Sequence, residues 1–143
     1  MPLKGIPDSI VPELLFALAK MGHGDFLVIA DANFPSDSIA NSTVLKNPIR
    51  VHGTTSDILR DILTLMPVDQ YQPHPVKVMD RVESDKLKNL EVPAYSLLSA
   101  VSGTTLEYVE RFEFYEIAKK AFVVIQTNDR SLYANCIVVK GVL

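Results

Sequence analysis

Cysteine is nearly absent from this sequence, which has Cys136 alone among its 143 residues. A single cysteine excludes an internal disulfide and a cluster of thiolates around a metal, and it favours a reducing compartment. The three histidines are too dispersed to form an H-x-x-x-H pair, and C-x-x-C is missing as well. Since such short spacings are typical of metal sites, we expect no metal.

Long apolar runs are also missing. The longest, such as the run from Leu14 to Ala19, are far shorter than the roughly 20 residues that cross a bilayer. Prolines and acidic residues interrupt the N-terminus where a signal peptide would need continuous apolar sequence. We therefore expect a soluble, cytoplasmic protein with no membrane partner.

Several motifs of enzyme chemistry do not occur. The sequence has no G-x-G-x-x-G, no P-loop and no G-x-S-x-G, which removes the sequence argument for dinucleotides, nucleotides and nucleophile-elbow hydrolases. The net charge of -3 and the isoelectric point of about 5.5 offer no attraction to phosphate-rich partners. We expect no nucleic-acid partner.

The composition is that of an ordinary globular chain, with 48% hydrophobic and 22% charged residues. A chain of this length fits one domain and can bury about 70% of the surface that it exposes when unfolded. We therefore expect residues 1–143 to form a single domain.

Helical and strand patterns alternate along the chain. Pro12 and Gly22 bracket an amphipathic helix over 12–21, and the short apolar run 26–30 is typical of a strand buried on both faces. The same signals predict strands at 48–51, 76–79 and 122–126, and helices after Thr54 or Thr55, late in 84–103, and over 113–121. Prolines make 67–75 a surface connection, and 131–140 should form a hairpin with 122–126. The pattern predicts an α/β fold with a mixed β-sheet flanked by helices.

The stretch MGHGD at 21–25 places His23 between two glycines, where a predicted helix meets a predicted strand. This setting predicts a tight turn that presents the imidazole outward, and Asp31 lies at the other end of the same strand. The negative end of the preceding helix should favour a protonated imidazole, which suits a proton donor. On these residues alone, a plain turn histidine and a capping aspartate remain the favoured interpretation.

Three other residues could bind a ligand. Tyr133 and Asn135 are two apart on the predicted strand, so both side chains should leave the same face and could bind a polyhydroxyl ligand. A strand surface facing water is the alternative. Arg111 stands among four glutamates, so a surface ion-pair network explains it adequately.

Four blocks of sequence resemble the L-fucose mutarotase family, the sister of the D-ribose pyranase family. They are LKGIPDSIVPELLFALAKMGHGDFLVIADANFP at 3–35, VMDRVESD at 78–85, ERFEFYEIAKKAF at 110–122 and LYANCIVVKGVL at 132–143. The resemblance runs nearly end to end. The first block alone resembles the whole superfamily, whereas ERFEFYE resembles the fucose branch.

The resemblance implies an RbsD-like fold and an enzyme, an isomerase that interconverts the α and β anomers of L-fucose without a cofactor. It implies that His23 is the proton donor and that Asp31, Arg111, Tyr133 and Asn135 bind the sugar. The family usually has glycine between that tyrosine and asparagine, whereas this chain has alanine at 134. On a strand, this methyl would point away from the ligand.

The resemblance also implies a homo-oligomer, a ring assembly such as a decamer, with active sites near subunit boundaries. Tyr115, His74 and the segment 67–75 are candidates for residues that a neighbouring copy adds. Two other functions stay open. One is a D-ribose pyranase that interconverts pyranose and furanose forms, and the other is a non-catalytic sugar-binding module.

Overall fold

The computed structural model describes residues 2–143, in which helices and strands alternate along most of the chain. The helices are α1 (Pro12–Lys20), α2 (Ser36–Ala40), α3 (Thr55–Leu63), α4 (Glu83–Leu87), α5 (Pro93–Ser102) and α6 (Arg111–Ala118). The strands are β1 (Phe26–Ala30), β2 (Ile49–Arg50), β3 (Val76–Met79), β4 (Glu107–Val109), β5 (Val123–Gln126) and β6 (Cys136–Val139). Within the described residues, no helix is both long and apolar enough to cross a membrane.

All six strands join one sheet, in the order β2-β5-β1-β6-β3-β4. Strand β6 runs antiparallel to its neighbours β1 and β3, whereas every other pairing is parallel. The predicted mixed α/β sheet is therefore confirmed. The carboxyl ends of the parallel strands meet the start of β6 at one side of the sheet, which we call the carboxyl edge. The opposite side is the amino edge.

Apolar side chains cover both faces of the sheet. Leu27 and Ile29 of β1 face a core that also contains residues of α1, α3 and α5. Val28 and Ala30 face a second core, which contains residues of α2 and α6. All four side chains are fully buried, so β1 has no polar face and its sequence is a continuous apolar run.

Helix boundaries follow the signals in the sequence. Pro12 opens α1, where its missing N–H costs nothing because the first helical N–H groups have no partner within the helix. The Thr54 hydroxyl accepts a hydrogen bond from the Asp57 N–H at 3.2 Å and caps α3. Gly103 ends α5 in the left-handed conformation, with φ of 69°, which glycine adopts without steric cost. The predicted helices in these three regions are confirmed.

The predicted hairpin is wrong. Strand β5 lies between β1 and β2, and β6 lies on the other side of β1, so the connection 127–135 crosses the end of β1. Both strands are apolar on both faces, which indicates a central position for each but does not name its neighbour. The strand predicted over 131–140 is also shorter than expected, since β6 begins only at Cys136.

Gly141 lies where the end of β6 meets the proline-rich segment 67–75. A methyl group at this position would lie 2.5 Å from the carbonyl oxygen of Val68 and 2.9 Å from the Cα atom of Asp69. Because both neighbours are backbone atoms, the segment would have to move. We expect Gly141→Ala to lower the free energy of unfolding, measured by urea denaturation, by about 1–3 kcal/mol.

Gly22→Ala is the matched control for this substitution. The nearest atom to a methyl at position 22 is a side-chain oxygen of Asp25 at 3.8 Å, which is ordinary contact. We expect its free energy of unfolding to change by no more than about 0.5 kcal/mol. Equal urea midpoints for the two variants would contradict the close packing at Gly141.

Candidate active site

A pocket of about 330 Å³ opens at the carboxyl edge of the sheet, within the size range of small-molecule sites. Four of the predicted site residues line it, namely Asp31, Arg111, Tyr133 and Asn135. Asp31 follows β1, Asn135 precedes β6, and Arg111 opens α6. The fold thus brings together four side chains that are distant in the sequence. A larger cleft of about 1190 Å³ beside α5 and β4 contains none of them.

Asp31 and Asn135 form a buried pair at the base of the pocket. The Asp31 N–H donates to Asn135 Oδ1 at 2.8 Å, and Asn135 Nδ2 donates to Asp31 Oδ2 at 3.1 Å. The other oxygen, Asp31 Oδ1, accepts from the Asn33 N–H at 2.9 Å. Burial raises the pKa of the Asp31 carboxyl, and the hydrogen bonds from Asn33 and Asn135 oppose this rise. The pair fixes a hydrogen-bond acceptor at the pocket floor.

Tyr133 reaches the pocket from a turn and not from a strand, so the predicted strand geometry at this residue is wrong. Its φ of 58° lies in the left-handed region, which is uncommon for a bulky residue and occurs more often at functional sites. Ala134 packs its methyl into the core and is fully buried. The side chain of Ala134 therefore points away from the pocket, as expected, although for a different structural reason.

Arg111 lies over aromatic rings at the mouth of the pocket. Its guanidinium is 4.9 Å from the ring centre of Phe112 and 5.8 Å from that of Tyr115, distances at which a cation is attracted to the ring face. Across residues 2–143 no ion pair involves Arg111. The prediction that a surface ion-pair network explains Arg111 is therefore wrong.

The polar groups around the pocket suit a ligand rich in hydroxyls. The Arg111 guanidinium only donates hydrogen bonds, and the Asn135 amide has a second N–H beyond the one bound to Asp31. The Asp31 carboxylate accepts hydrogen bonds. Such a ligand needs both kinds of partner, because each hydroxyl is at once a donor and an acceptor.

His23 lies elsewhere, at the amino edge of the sheet. Its turn forms as predicted, with Gly24 at φ of 86° and the Gly24 N–H bound to the Lys140 carbonyl at 3.0 Å. The imidazole is 47% exposed and does not line the pocket. Strand β1 separates it from Asp31, and five strand residues span about 17 Å. A single chain therefore does not bring His23 to the other four residues.

The carboxylate that contacts His23 belongs to Asp69, which the sequence did not single out. His23 Nε2 and Asp69 Oδ1 are 3.0 Å apart, and the Tyr71 N–H and Gln72 Nε2 donate to the same carboxylate at 3.1 and 2.8 Å. Asp69 is buried. At the end of α1, by contrast, the Lys140 ammonium donates to the carbonyls of Leu18 and Met21. Asp69, and not the helix end, is the negative group that holds the imidazole.

These hydrogen bonds predict a dependence of stability on pH. The donors Gln72 and Tyr71, with His23, hold the pKa of Asp69 below its ordinary value. The folded chain therefore keeps this carboxylate ionised at a pH where the unfolded chain, with a pKa of about 4, takes up a proton. The ionised Asp69 carboxylate therefore contributes its full stabilisation well above pH 4. This contribution is lost as the pH falls through the pKa that Asp69 has in the folded chain.

We expect Asp69→Asn to lower the urea midpoint at pH 7 and to lower it much less near pH 3, where the wild type has lost the same contribution. Urea denaturation of both proteins at the two pH values measures this difference. An equal difference between the urea midpoints of the two proteins at both pH values would contradict the role of the ionised carboxylate.

The structure adds other residues to the pocket. Asp85, at the end of the VMDRVESD block, lines the pocket, and so does Tyr115, which contributes to its own chain's site. His74 is exposed and lies with Nδ1 3.1 Å from the Thr105 hydroxyl, outside the pocket. The sequence signal that could have identified Asp85 is its position as the acidic residue that ends the VMDRVESD block, just after the predicted strand 76–79.

Comparisons with known proteins agree with this architecture. The sequence model of the RbsD / FucU transport protein family matches residues 4–143. The fucose mutarotase of Mus musculus is 49% identical over 149 residues, covering 99% of this chain and 95% of the relative. The crystal structure of the fucose mutarotase from Streptococcus pneumoniae, in complex with L-fucose, superposes with a TM-score of 0.83 at 38% identity and covers 99% of both chains.

A member of the sister branch is less similar. The structure of Bacillus subtilis RbsD complexed with D-ribose superposes with a TM-score of 0.74 at 26% identity, covering 100% of this chain and 99% of that one. Both identity and superposition are thus higher for the fucose branch. The chain belongs to the RbsD/FucU family and, within it, to the L-fucose mutarotases.

Proposed function

We propose that this protein is an L-fucose mutarotase, which interconverts the α and β anomers of L-fucose. The observation that carries the proposal is the pocket at the carboxyl edge, where Asp31, Arg111, Tyr133 and Asn135 offer hydrogen-bond donors and acceptors within about 330 Å³. The family supplies the identity of the sugar, since its relatives include a fucose mutarotase crystallised with L-fucose.

Mutarotation is proton transfer at two oxygens of one sugar. Opening the ring requires a proton at the ring oxygen and removal of the proton from the anomeric hydroxyl. The open aldehyde then rotates about its C1–C2 bond, and the ring closes on the other face. Each positioned acid or base contributes roughly 10²- to 10⁴-fold, so a few side chains suffice. This chemistry needs no redox cofactor and no metal.

The substrate-binding roles follow from hydrogen-bonding capacity. Asp31 accepts from sugar hydroxyls, and Arg111 and the free N–H of Asn135 donate to them. Tyr133, beside Asn135, orients the ring. Because these groups lie on different elements that the sheet holds rigid, they fix the sugar in one position for reaction.

His23 is the proposed proton donor, and it acts from a neighbouring copy of the chain. The support is geometric, since the imidazole projects 47% exposed from the amino edge while the pocket opens at the carboxyl edge. Asp69 holds Nε2 of the imidazole, which leaves Nδ1 as the atom that can face a sugar. A second copy whose amino edge covers the pocket would complete the site.

This arrangement requires a homo-oligomer, and we propose a ring assembly such as a decamer of single-domain subunits, each spanning 1–143. If the amino edge of each subunit faces the carboxyl edge of the next, the same contact repeats from subunit to subunit. When the rotation between successive subunits brings the last one back to the first, the assembly is a closed ring. We place the protein in the cytoplasm, in keeping with a reduced, buried Cys136.

Comparing L-fucose with D-ribose tests the activity and its alternatives. We expect saturation-transfer NMR to show exchange of L-fucose anomers well above the buffer rate, and weaker acceleration of D-ribose exchange. Faster exchange of ribose would favour the pyranase. Thermal stabilisation by L-fucose without faster exchange would identify a non-catalytic sugar-binding module.

A further inference from the structure

We propose that Tyr71 of a neighbouring copy covers the C5 methyl group of L-fucose and gives the site its preference for a 6-deoxy sugar. This inference rests on the proposed mutarotase function, in which His23 acts from the neighbouring copy. It deepens that function, because it names the residue that recognises the one apolar substituent of the substrate. Tyr71 is not among the residues that line the pocket of its own chain.

Tyr71 is an exposed aromatic residue beside the proposed proton donor. It is 80% exposed, the highest value among the aromatic residues, although a tyrosine ring gains free energy when it is buried. The ring centres of Tyr71 and His23 are 5.3 Å apart, with the ring planes tilted by 56°, which is a contact distance for two such rings. A surface that covers the exposed imidazole therefore also meets Tyr71.

Hydrogen bonds hold the turn that carries this ring. The Tyr71 N–H donates to Asp69 Oδ1 at 3.1 Å, the same oxygen that contacts His23. The side chain of Gln72 donates to Asp69 Oδ2 at 2.8 Å. The Asp69 N–H donates to the Val139 carbonyl at 3.0 Å, which ties the turn to the end of β6. One turn thus presents the tyrosine ring and the imidazole together.

The chemistry of ring opening places the methyl group of L-fucose near the proton donor. The ring oxygen is bonded to C1 and to C5, and C5 carries the methyl group. An imidazole that protonates the ring oxygen therefore lies close to that methyl group, and a side chain in contact with the imidazole can reach it. The hydroxyls at C1 to C4 need the polar groups of the pocket. The methyl group is the substituent that an apolar ring covers favourably.

The copy that holds the sugar provides an apolar counterpart to Tyr71. Leu132 lines the pocket and is 57% exposed, whereas the other apolar lining residues Phe34 and Met79 are buried. Leu132 therefore stands at the rim of the pocket, where a neighbouring copy can reach it. A methyl group between Leu132 and the Tyr71 ring would remove apolar surface of all three groups from water.

The test compares L-fucose with D-arabinose in the intact oligomer. The two pyranose rings have the same configuration at C2, C3 and C4, and D-arabinose has hydrogen in place of the methyl group. We expect the wild type to prefer L-fucose in kcat/KM, and Tyr71→Ala to lower this preference by roughly tenfold, the lower end of what one methylene group contributes in an apolar pocket. Most of the loss should fall on L-fucose. Saturation-transfer NMR over a range of sugar concentrations measures both substrates.

Two variants control for the loss of an aromatic ring. Tyr71→Phe keeps the ring and should retain most of the preference. Tyr108→Ala removes another exposed tyrosine, which packs against Tyr95 with 5.0 Å between ring centres and lies outside the pocket, and it should leave both rates unchanged. An equal loss for the two sugars in Tyr71→Ala would overturn the inference, because Tyr71 would then only hold His23 or the assembly. An unchanged preference would overturn it as well.

Mixed oligomers test which copy supplies Tyr71. When His23→Ala and Asp31→Ala subunits assemble together, each complete site takes its imidazole from an Asp31→Ala chain and its pocket from a His23→Ala chain. The preference for L-fucose should fall when Tyr71→Ala is added to the Asp31→Ala chain and persist when it is added to the His23→Ala chain. The reverse result would overturn the inference. If the wild type exchanges neither sugar, the proposed function itself fails, which is a different result.

Discussion

His23→Ala should lose the catalysed exchange of L-fucose anomers, falling by roughly 10²- to 10⁴-fold towards the buffer rate. The reason is that the ring oxygen must be protonated as its bond to C1 breaks, and alanine has no proton to give. Since the pocket residues Asp31, Arg111 and Asn135 remain, sugar binding should persist. Saturation-transfer NMR measures the exchange rate, and the thermal shift caused by L-fucose measures binding.

His52→Ala is the matched control, because it removes an exposed imidazole that does not line the pocket. It should exchange L-fucose at the wild-type rate. The free energy of unfolding of His23→Ala should change little, since its side chain is half exposed. Normal exchange by a folded His23→Ala oligomer would remove His23 from the reaction.

Mixed oligomers should regain activity when two inactive subunits are combined. A His23→Ala subunit keeps its pocket, and an Asp31→Ala subunit keeps its imidazole. If each site takes the two parts from different copies, random 1:1 assembly makes about one quarter of the sites complete. Co-expression of the two variants with different tags, followed by the NMR exchange assay, measures the recovered fraction.

The control for this experiment is a chain that carries both substitutions, whose oligomers contain no complete site. Arg111→Ala serves as a second pocket variant, because this exposed residue can be removed without disturbing the buried pair of Asp31 and Asn135. No recovery in either mixture would mean that the histidine and the pocket of one chain act together, contrary to the separation seen along β1.

Much of the fold could be predicted because its signals are local. Pro12 and Thr54 open helices through their own backbone chemistry, and the apolar run 26–30 requires cover on both faces. The partner of a strand is not a local property. Strands β5 and β6 follow each other in the sequence, yet both pair with β1, β5 in parallel and β6 antiparallel, so the next strand along the chain is not the partner in the sheet.

The site was predictable in its residue types and less so in its geometry. The resemblance to the family named Asp31, Arg111, Tyr133 and Asn135, and the structure places all four around one pocket. Their contacts were not predictable. Asp31 and Asn135 meet because β1 and β6 are adjacent and antiparallel, and Tyr133 enters from a left-handed turn rather than from a strand.

The carboxylates of Asp69 and Asp85 could not be predicted as site residues from the sequence, and the physical reason is the same for both. Asp69 lies in a segment that three prolines mark as a surface connection, and the Val68 bridge to Lys140, with the hydrogen bond from the Asp69 N–H to the Val139 carbonyl, brings it beside His23. Asp85 stands on the short helix α4, which buries no residue, and becomes part of the pocket through Tyr133. Both partnerships join residues that are far apart in the sequence.

The most direct measurement is a crystal structure of the assembled protein with L-fucose bound. In the proposed mechanism one copy holds the sugar and another protonates it. We therefore expect an L-fucose ring bound by Asp31 and Arg111 of one chain, with His23 Nδ1 of a second chain about 3 Å from the ring oxygen. A sugar bound in this pocket with every His23 facing solvent or a different surface would contradict the account.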